Sequence, residues 1–267
     1  MLYTKIKPMQ NLLNYQFHQA EQAVNQPTLV FIHGLFGDMN NLGIIARAFS
    51  EKYNVLRVDL RNHGQSFHSS EMNYALMAQD LYELVQALGL TKLVLIGHSM
   101  GGKTAMTFAA AYPQLVERLV VIDIAPVAYV GARHSDVFAG LLAVQQQKPA
   151  SRQLAKPILA SEINDEAVQQ FMLKSFDAQS PEFFRFNVSG LQKNYGNLMD
   201  WQPVHCEVPC LFIRGGDSDY ILPAYSEQIL AQFPNATSFT ISGANHWVHA
   251  EKPQFVVRAI EKFLATN

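Results

Sequence analysis

Short apolar runs rich in β-branched residues recur along the chain, separated by segments with helical apolar spacing. TLVFIHG (28–34), NVLRVDL (54–60), KLVLIGH (92–98), RLVVIDIA (118–125), CLFIRGG (210–216) and TSFTISGA (237–244) read as strands. They are almost continuously hydrophobic rather than alternating, which marks strands covered on both faces. MNNLGIIARAFSEKY, NYALMAQDLYELVQALGL and GGKTAMTFAAAYP read as helices, and the last stops at Pro113. The alternation predicts an α/β architecture: a mostly parallel sheet with helices on both faces. LYTKIKP (2–8) and NYQFHQAE (14–21) are expected to add an antiparallel edge pair, making the sheet eight-stranded.

The rhythm breaks after Ala125. Up to about Pro203 no buried strand is evident, while SDVFAGLLAVQQQ, SRQLAKPILASEI and NDEAVQQFMLKSF look helical. An insertion here lies between two strands, at the sheet edge where open α/β proteins bind ligands. Residues 126–203 are therefore expected to form a small helical cap, with 1–125 and 204–267 making the core.

Composition narrows the function classes. Apolar residues make up 49% and charged residues 16% of the 267, enough for a sizeable core. A formal charge of −2 with no basic excess argues against nucleic acid and anionic membranes as partners. Cys206 and Cys210, in CEVPC, lack C-x-x-C spacing and a second cluster, so no metal site is expected. They read as thiols flanking a buried strand, which fits a reducing cytoplasm. The N-terminal stretch has no apolar secretory core, and no run is long enough to span a bilayer.

The candidate chemistry sits at one strand-to-helix junction. Gly97-His98-Ser99-Met100-Gly101 is G-x-S-x-G between a buried strand and an apolar helix. Ser99 must occupy a tight, strained turn with its hydroxyl clear of the sheet, and the flanking glycines let strand and helix approach. This makes Ser99 the candidate nucleophile. The N–H of Met100, the next residue, is one candidate oxyanion donor. The N–H of Leu35, in FIHGLFGD after the first buried strand, is the other. Lys103, one turn into the helix, reads as a packing or pairing residue.

Nine histidines compete for the role of base. His246 lies in SGANHWVHAEKP, on the loop after the last strand, at the same sheet edge as Ser99. It is the candidate that takes the serine proton and returns it to the leaving group. His249 reads as structural or surface, His33 and His98 as shaping the pocket, and His63 as a loop hydrogen-bonder.

FIHGLFGDMNNLG, VDLRNHGQS, IGHSMGGK, VIDIAPV, FRFNV and GANHWVHAEKP together resemble the α/β-hydrolase superfamily, and within it the bacterial YbfF-type esterases and their mitochondrial relatives. The resemblance covers the whole chain. It implies the α/β-hydrolase fold, a small helical cap, and serine hydrolase activity on esters and acyl thioesters. It implies no cofactor. The implied partner is a small-molecule acyl ester or thioester.

The acid that orients His246 has two candidates, and both preserve the order Ser, Asp, His. The spacing G-x-x-D-x-x-x-P, from Gly216 through Asp219 to Pro223, favours Asp219. The narrower resemblance implies Asp123, in its DIAP segment, with Ser218 near the histidine. Against it, the later loop carries Asp217 and Asp219 where that group has Gly-Gly-Asn-Ser. Asp217 reads as a turn-former.

Phe36, His98, Arg185 and Trp247 are candidate substrate-pocket residues. Aromatics of the insertion, Tyr129, Phe138, Phe183, Phe184, Phe186 and Trp201, line an acyl pocket or pack the insertion on the core. Arg133, His134 and Arg185 are its candidate anion contacts. Two other readings stay open: different chemistry on the same fold (perhydrolysis, carbon–carbon hydrolysis, hydroxynitrile cleavage), and a ligand receptor without catalysis.

Overall fold

A computed structural model describes residues 12–23 and 25–266. In chain order the first half contains β1 (Tyr15–His18), β2 (Thr28–Ile32), α1 (Gly43–Phe49), β3 (Val55–Val58), α2 (Tyr74–Ala87), β4 (Leu93–His98), α3 (Met100–Ala111) and β5 (Val116–Ile122). Five helices follow: α4 (Ser135–Gln147), α5 (Arg152–Glu162), α6 (Glu166–Ser175), α7 (Val188–Lys193) and α8 (Tyr195–Met199). The chain closes with β6 (Cys210–Gly215), α9 (Ser226–Gln232), β7 (Ala236–Ile241), α10 (Val248–Glu251) and α11 (Pro253–Leu264).

Each of the six apolar runs after residue 27 contains a strand. Among the described residues the sheet has seven strands, not eight, in the order β1-β3-β2-β4-β5-β6-β7. The expected strand at 2–8 lies outside the described residues. Only β1 is antiparallel, against β3. Every residue of β2 and β4 is buried, as their unbroken hydrophobicity requires. Alternate side chains feed two cores. Val30 and Ile32 join Met77, Leu81, Met106 and Phe108 from α2 and α3. Leu29 and Phe31 join Ile45 and Phe49 of α1 and Val256 and Ile260 of α11.

Strand order places the site. The chain runs from β2 outward to β3, then returns to lay β4 on the other side of β2. The crevice opens outside the strand C-termini at this reversal. Ile32 pairs with Gly97, His98 with Ile122, and Ile122 with Ile213. The loops after β2, β4, β5 and β6 thus leave the sheet at one level.

The inserted helices begin where local signals allow. The Ser151 side chain caps α5 and the Asp165 side chain caps α6. α7 and α8 have six and five residues, too short for periodicity to reveal. The insertion is tied to the core loops. The Asn187 N–H donates to Asn62 O (2.9 Å), the Tyr74 hydroxyl to Leu198 O (2.6 Å), and the Ser175 hydroxyl to Phe36 O (3.4 Å). Among the described residues no helix is long and apolar enough to cross a membrane. Cys206 and Cys210 are buried free thiols.

The junction of β4 and α3 leaves no room for side chains. A Cβ on Gly97 would lie 2.2 Å from Gly101 O, and one on Gly101 2.3 Å from Ile32 O. Both obstacles are backbone, so relief requires moving a strand or a helix. Gly97→Ala is expected to destabilise the fold by roughly 2–3 kcal/mol. Gly196→Ala, where a Cβ meets nothing within 4 Å, should be neutral or slightly stabilising. Urea unfolding of the two variants checks this, and equal midpoints would refute it.

Candidate active site

Ser99 occupies the turn between β4 and α3 with φ 53° and ψ −121°. A non-glycine residue there is strained, and the surrounding structure must hold it. Its N–H donates to Ile122 O (3.0 Å), and its carbonyl accepts from Gly102 and Lys103 (2.8 and 3.1 Å). The hydroxyl is thereby aimed off the sheet, beside the N-terminal end of α3.

The loop after β7 brings His246 to this hydroxyl. His246 Nε2 is 2.9 Å from Ser99 Oγ, and Nδ1 is 2.8 Å from Asp123 Oδ2. With the carboxylate accepting, the ring carries its hydrogen on Nδ1 and Nε2 accepts from the serine. Asp123 follows β5, has φ 53°, and its side chain is fully buried. It also takes the Gly215 N–H on Oδ1 (2.9 Å) and the Ser218 hydroxyl on Oδ2 (2.5 Å). Asp219 lies elsewhere: its side chain is 70% exposed and paired with Arg133. Arg133 in turn lies 4.2 Å over the Tyr220 ring, which stacks on His246 with centroids 3.8 Å apart.

Two candidate donors belong to residues that line the same pocket as the serine. Among the described residues, no acceptor takes the N–H of Leu35 or of Met100. Met100 opens α3, where the first N–H groups have no intrahelical partner and the helix dipole is positive. The loop carrying Leu35 is held by two buried imidazoles. His33 donates from Nδ1 to Gly34 O (2.7 Å) and accepts the Leu60 N–H on Nε2 (3.0 Å). His63 donates from Nδ1 to Arg61 O (3.0 Å) and accepts the Phe36 N–H on Nε2 (3.2 Å). Each ring must be neutral to make both bonds.

Ser99, Leu35 and Met100 share a narrow pocket whose empty volume, mouth included, is about 350 Å³. Its other walls are Tyr74, Lys103, Ile124, Tyr129, His134, Leu198, Met199 and Tyr220. The four residues proposed from sequence for the pocket lie outside this lining. Phe36 is buried and packs its ring on Phe138 and Phe186 (5.4 and 5.3 Å). His98 donates from Nε2 to His246 O (2.9 Å), bracing the histidine loop from behind. Arg185 is exposed because its neighbours Phe184 and Phe186 point into the core. Trp247 packs against Phe171 of α6 (5.3 Å). Of the aromatics expected from the insertion, Tyr129 lines the pocket and the phenylalanines pack. Lys103, read as a packing residue, is a pocket wall. No sequence signal separated it from an exposed helix cation.

A family model described as the alpha/beta hydrolase fold matches residues 27–253. The chain belongs to the α/β-hydrolase family. A Haemophilus influenzae protein described as a candidate esterase/lipase is 63% identical over 257 residues, 96% of this chain and 90% of that protein. Escherichia coli esterase YbfF is 43% identical over 254 residues, covering 94% and 98% of the two chains. The solved structure of an esterase from a marine microorganism superposes with a TM-score of 0.88 at 32% identity, covering 95% and 99%. By these likenesses this α/β hydrolase is of the esterase/lipase type.

Burial keeps the histidines around the hydrolase site neutral. It holds His63 at about 3, with nearby His33 adding to the effect, and His249 at about 3, with His246 adding. His98 lies well below its usual value for the same first reason, with His249 and His246 beside it. These folded values lie below the unfolded 6.5, so the unfolded chain binds more protons as pH falls from 6.5 towards 3. The stability is fully present above 6.5 and drains away below it. At pH 5 His63 and His249 each cost roughly 2 kcal/mol. Urea unfolding is expected to show a marked loss between pH 7.5 and 5. The His249→Phe variant should lose roughly 2 kcal/mol less over that range. Wild-type midpoints that do not move with pH would refute this.

Proposed function

We propose that the protein is a serine hydrolase that cleaves carboxylic esters and acyl-CoA thioesters through an acyl-enzyme on Ser99. The reading rests on one observation: the hydrogen-bonded line Ser99–His246–Asp123 opens on a pocket also lined by Leu35 and Met100, whose N–H groups have no acceptor among the described residues. His246 Nε2 takes the hydroxyl proton as Ser99 Oγ attacks the acyl carbonyl. The oxyanion that forms accepts hydrogen bonds from Leu35 N–H and Met100 N–H, each worth about 3 kcal/mol in the transition state. His246 then protonates the leaving alkoxide or thiolate. Water, deprotonated by the same nitrogen, releases the acid and restores the serine. Asp123 holds the Nδ1–H tautomer and stabilises the imidazolium, and the Ser218 hydroxyl and Gly215 N–H keep its carboxylate in place.

Esters and thioesters pass through the same tetrahedral oxyanion, so one set of donors serves both. Residues 126–203 act as the cap, since Tyr129, His134, Leu198 and Met199 come from that stretch and wall the pocket. The substrate is a small molecule. The two buried free thiols fit a cytoplasmic setting.

Hydrolysis of p-nitrophenyl butyrate, before and after a fluorophosphonate, tests the proposal, with labelling expected at Ser99. Asp123→Ala is expected to lower kcat by about 10⁴-fold. Asp219→Ala, which removes only a solvated carboxylate and frees Arg133, should cost roughly tenfold or less. The assignment of the acid falls if the order is reversed. The hydrolase reading falls if no ester or acyl-CoA is turned over and Ser99 is not labelled.

A further inference from the structure

Lys103 is a cationic pocket residue whose charge and donors the reaction leaves unused. It lies four residues after Ser99, in the first turn of α3, and both residues line the pocket. The residue is 1% exposed, yet it lines the pocket together with Ser99, Leu35 and Met100. An ammonium has three donors. Among the described residues its Nζ has one hydrogen-bond acceptor, Asp200 O at 3.1 Å. Around it stand the rings of Tyr129, Tyr74 and Trp201, with centroids 4.9, 5.4 and 5.6 Å away. The hydroxyls of two of these rings are spent on backbone, Tyr129 on Tyr220 O (2.5 Å) and Tyr74 on Leu198 O (2.6 Å). Burial pushes the amine down to about 7, against the pull of nearby Asp200.

A plain alkyl chain laid on this wall would seal Nζ behind hydrocarbon and leave its remaining donors unpaired. Sites with such groups reject analogues that cannot pair with them. A carboxylate is disfavoured too, because it would enter among three negative ring faces that already offset part of the charge. A neutral oxygen pairs with Nζ without that repulsion, and pairs with the amine in either protonation state.

We propose that Lys103 is a specificity-determining residue, and that the site takes acyl groups carrying a neutral oxygen acceptor (oxo, hydroxyl or ether) a few atoms beyond the scissile carbonyl. This rests on the ester hydrolase reading above and names its substrate class. The closest competitors in shape are the matching alkyl acyl groups.

The test compares p-nitrophenyl 4-oxopentanoate and 5-oxohexanoate with pentanoate and hexanoate. Each kcat/KM is divided by the second-order rate constant for attack of an added thiolate on the same ester to remove inductive effects. Wild type is expected to favour at least one oxo ester over its alkyl partner by about tenfold. Lys103→Met should abolish or invert that ratio, and Lys103→Gln, which keeps a donor, should retain part of it. Because the readout is a ratio within one enzyme, it does not depend on the overall rate of a variant. If Lys103→Met does not fold, the wild-type and Lys103→Gln ratios carry the result. The mono-p-nitrophenyl ester of glutaric acid is expected to react more slowly than 5-oxohexanoate. Equal or inverse wild-type preference, a preference that survives in Lys103→Met, or a faster glutarate ester each overturns the proposal. Alkyl esters hydrolysed with Ser99 labelled but no oxo preference sink only the role of Lys103. No turnover and no labelling sink the hydrolase reading, and this inference with it.

Discussion

The carboxylate of Asp123 is fully buried, and a buried charge persists only where donors compensate its lost hydration. Three do so: the His246 ring, the Ser218 hydroxyl and the Gly215 backbone N–H. They come from the loop after β7, the loop after β6 and the end of β6. One desolvated group at residue 123 is therefore tied to two later segments, 215–218 and the loop carrying His246. It also fixes which ring nitrogen of His246 faces Ser99. Moving any of the three donors would leave either the carboxylate or the imidazole without its partner, so the arrangement is held as a unit.

The same economy runs through the loop after β2. His33 and His63 each donate once and accept once, and burial keeps both neutral so that they can. Their acceptor nitrogens take the N–H groups of Leu60 and Phe36, and the N–H of Leu35, in the pocket wall shared with Ser99, is left without an acceptor among the described residues. Phe36 sits at φ 63°, so the loop is strained at the point where its backbone turns towards the site. Ser99 and Asp123, at φ 53° each, are strained as well. Three non-glycine residues with positive φ lie around one crevice, Ser99 and Asp123 held by hydrogen bonds to β5 and β6 and Phe36 by one to the His63 ring.

The insertion gives this crevice its walls. Its helices rest on the loops after β2 and β3, and the aromatic contacts of Phe36 with Phe138 and Phe186 seal that side. What remains open is a slot bounded by Tyr129, Tyr220, Tyr74 and Lys103. Aromatic faces around a nearly unpaired ammonium make the slot less apolar than its side-chain inventory suggests.

The sequence by itself determined the strands after residue 27, their order along the chain and the glycine-flanked turn at Ser99. These follow from local rules: unbroken hydrophobicity for doubly covered strands, and backbone sterics at Gly97 and Gly101 for the turn. The helices α7 and α8 escaped because six and five residues carry no measurable period. Which aspartate meets His246 was undecided in sequence, since spacing pointed to Asp219 and resemblance to Asp123. In the folded chain Ile122 pairs with Ile213, so both loops leave the sheet side by side. The φ of 53° at Asp123 and the donors at Gly215 and Ser218 turn that carboxylate inward, while Arg133 draws Asp219 out to solvent. Lys103 was equally hidden. A cation one turn into a helix looks like any surface charge until the insertion closes over it, and burial by a distant segment is a property of the tertiary structure alone.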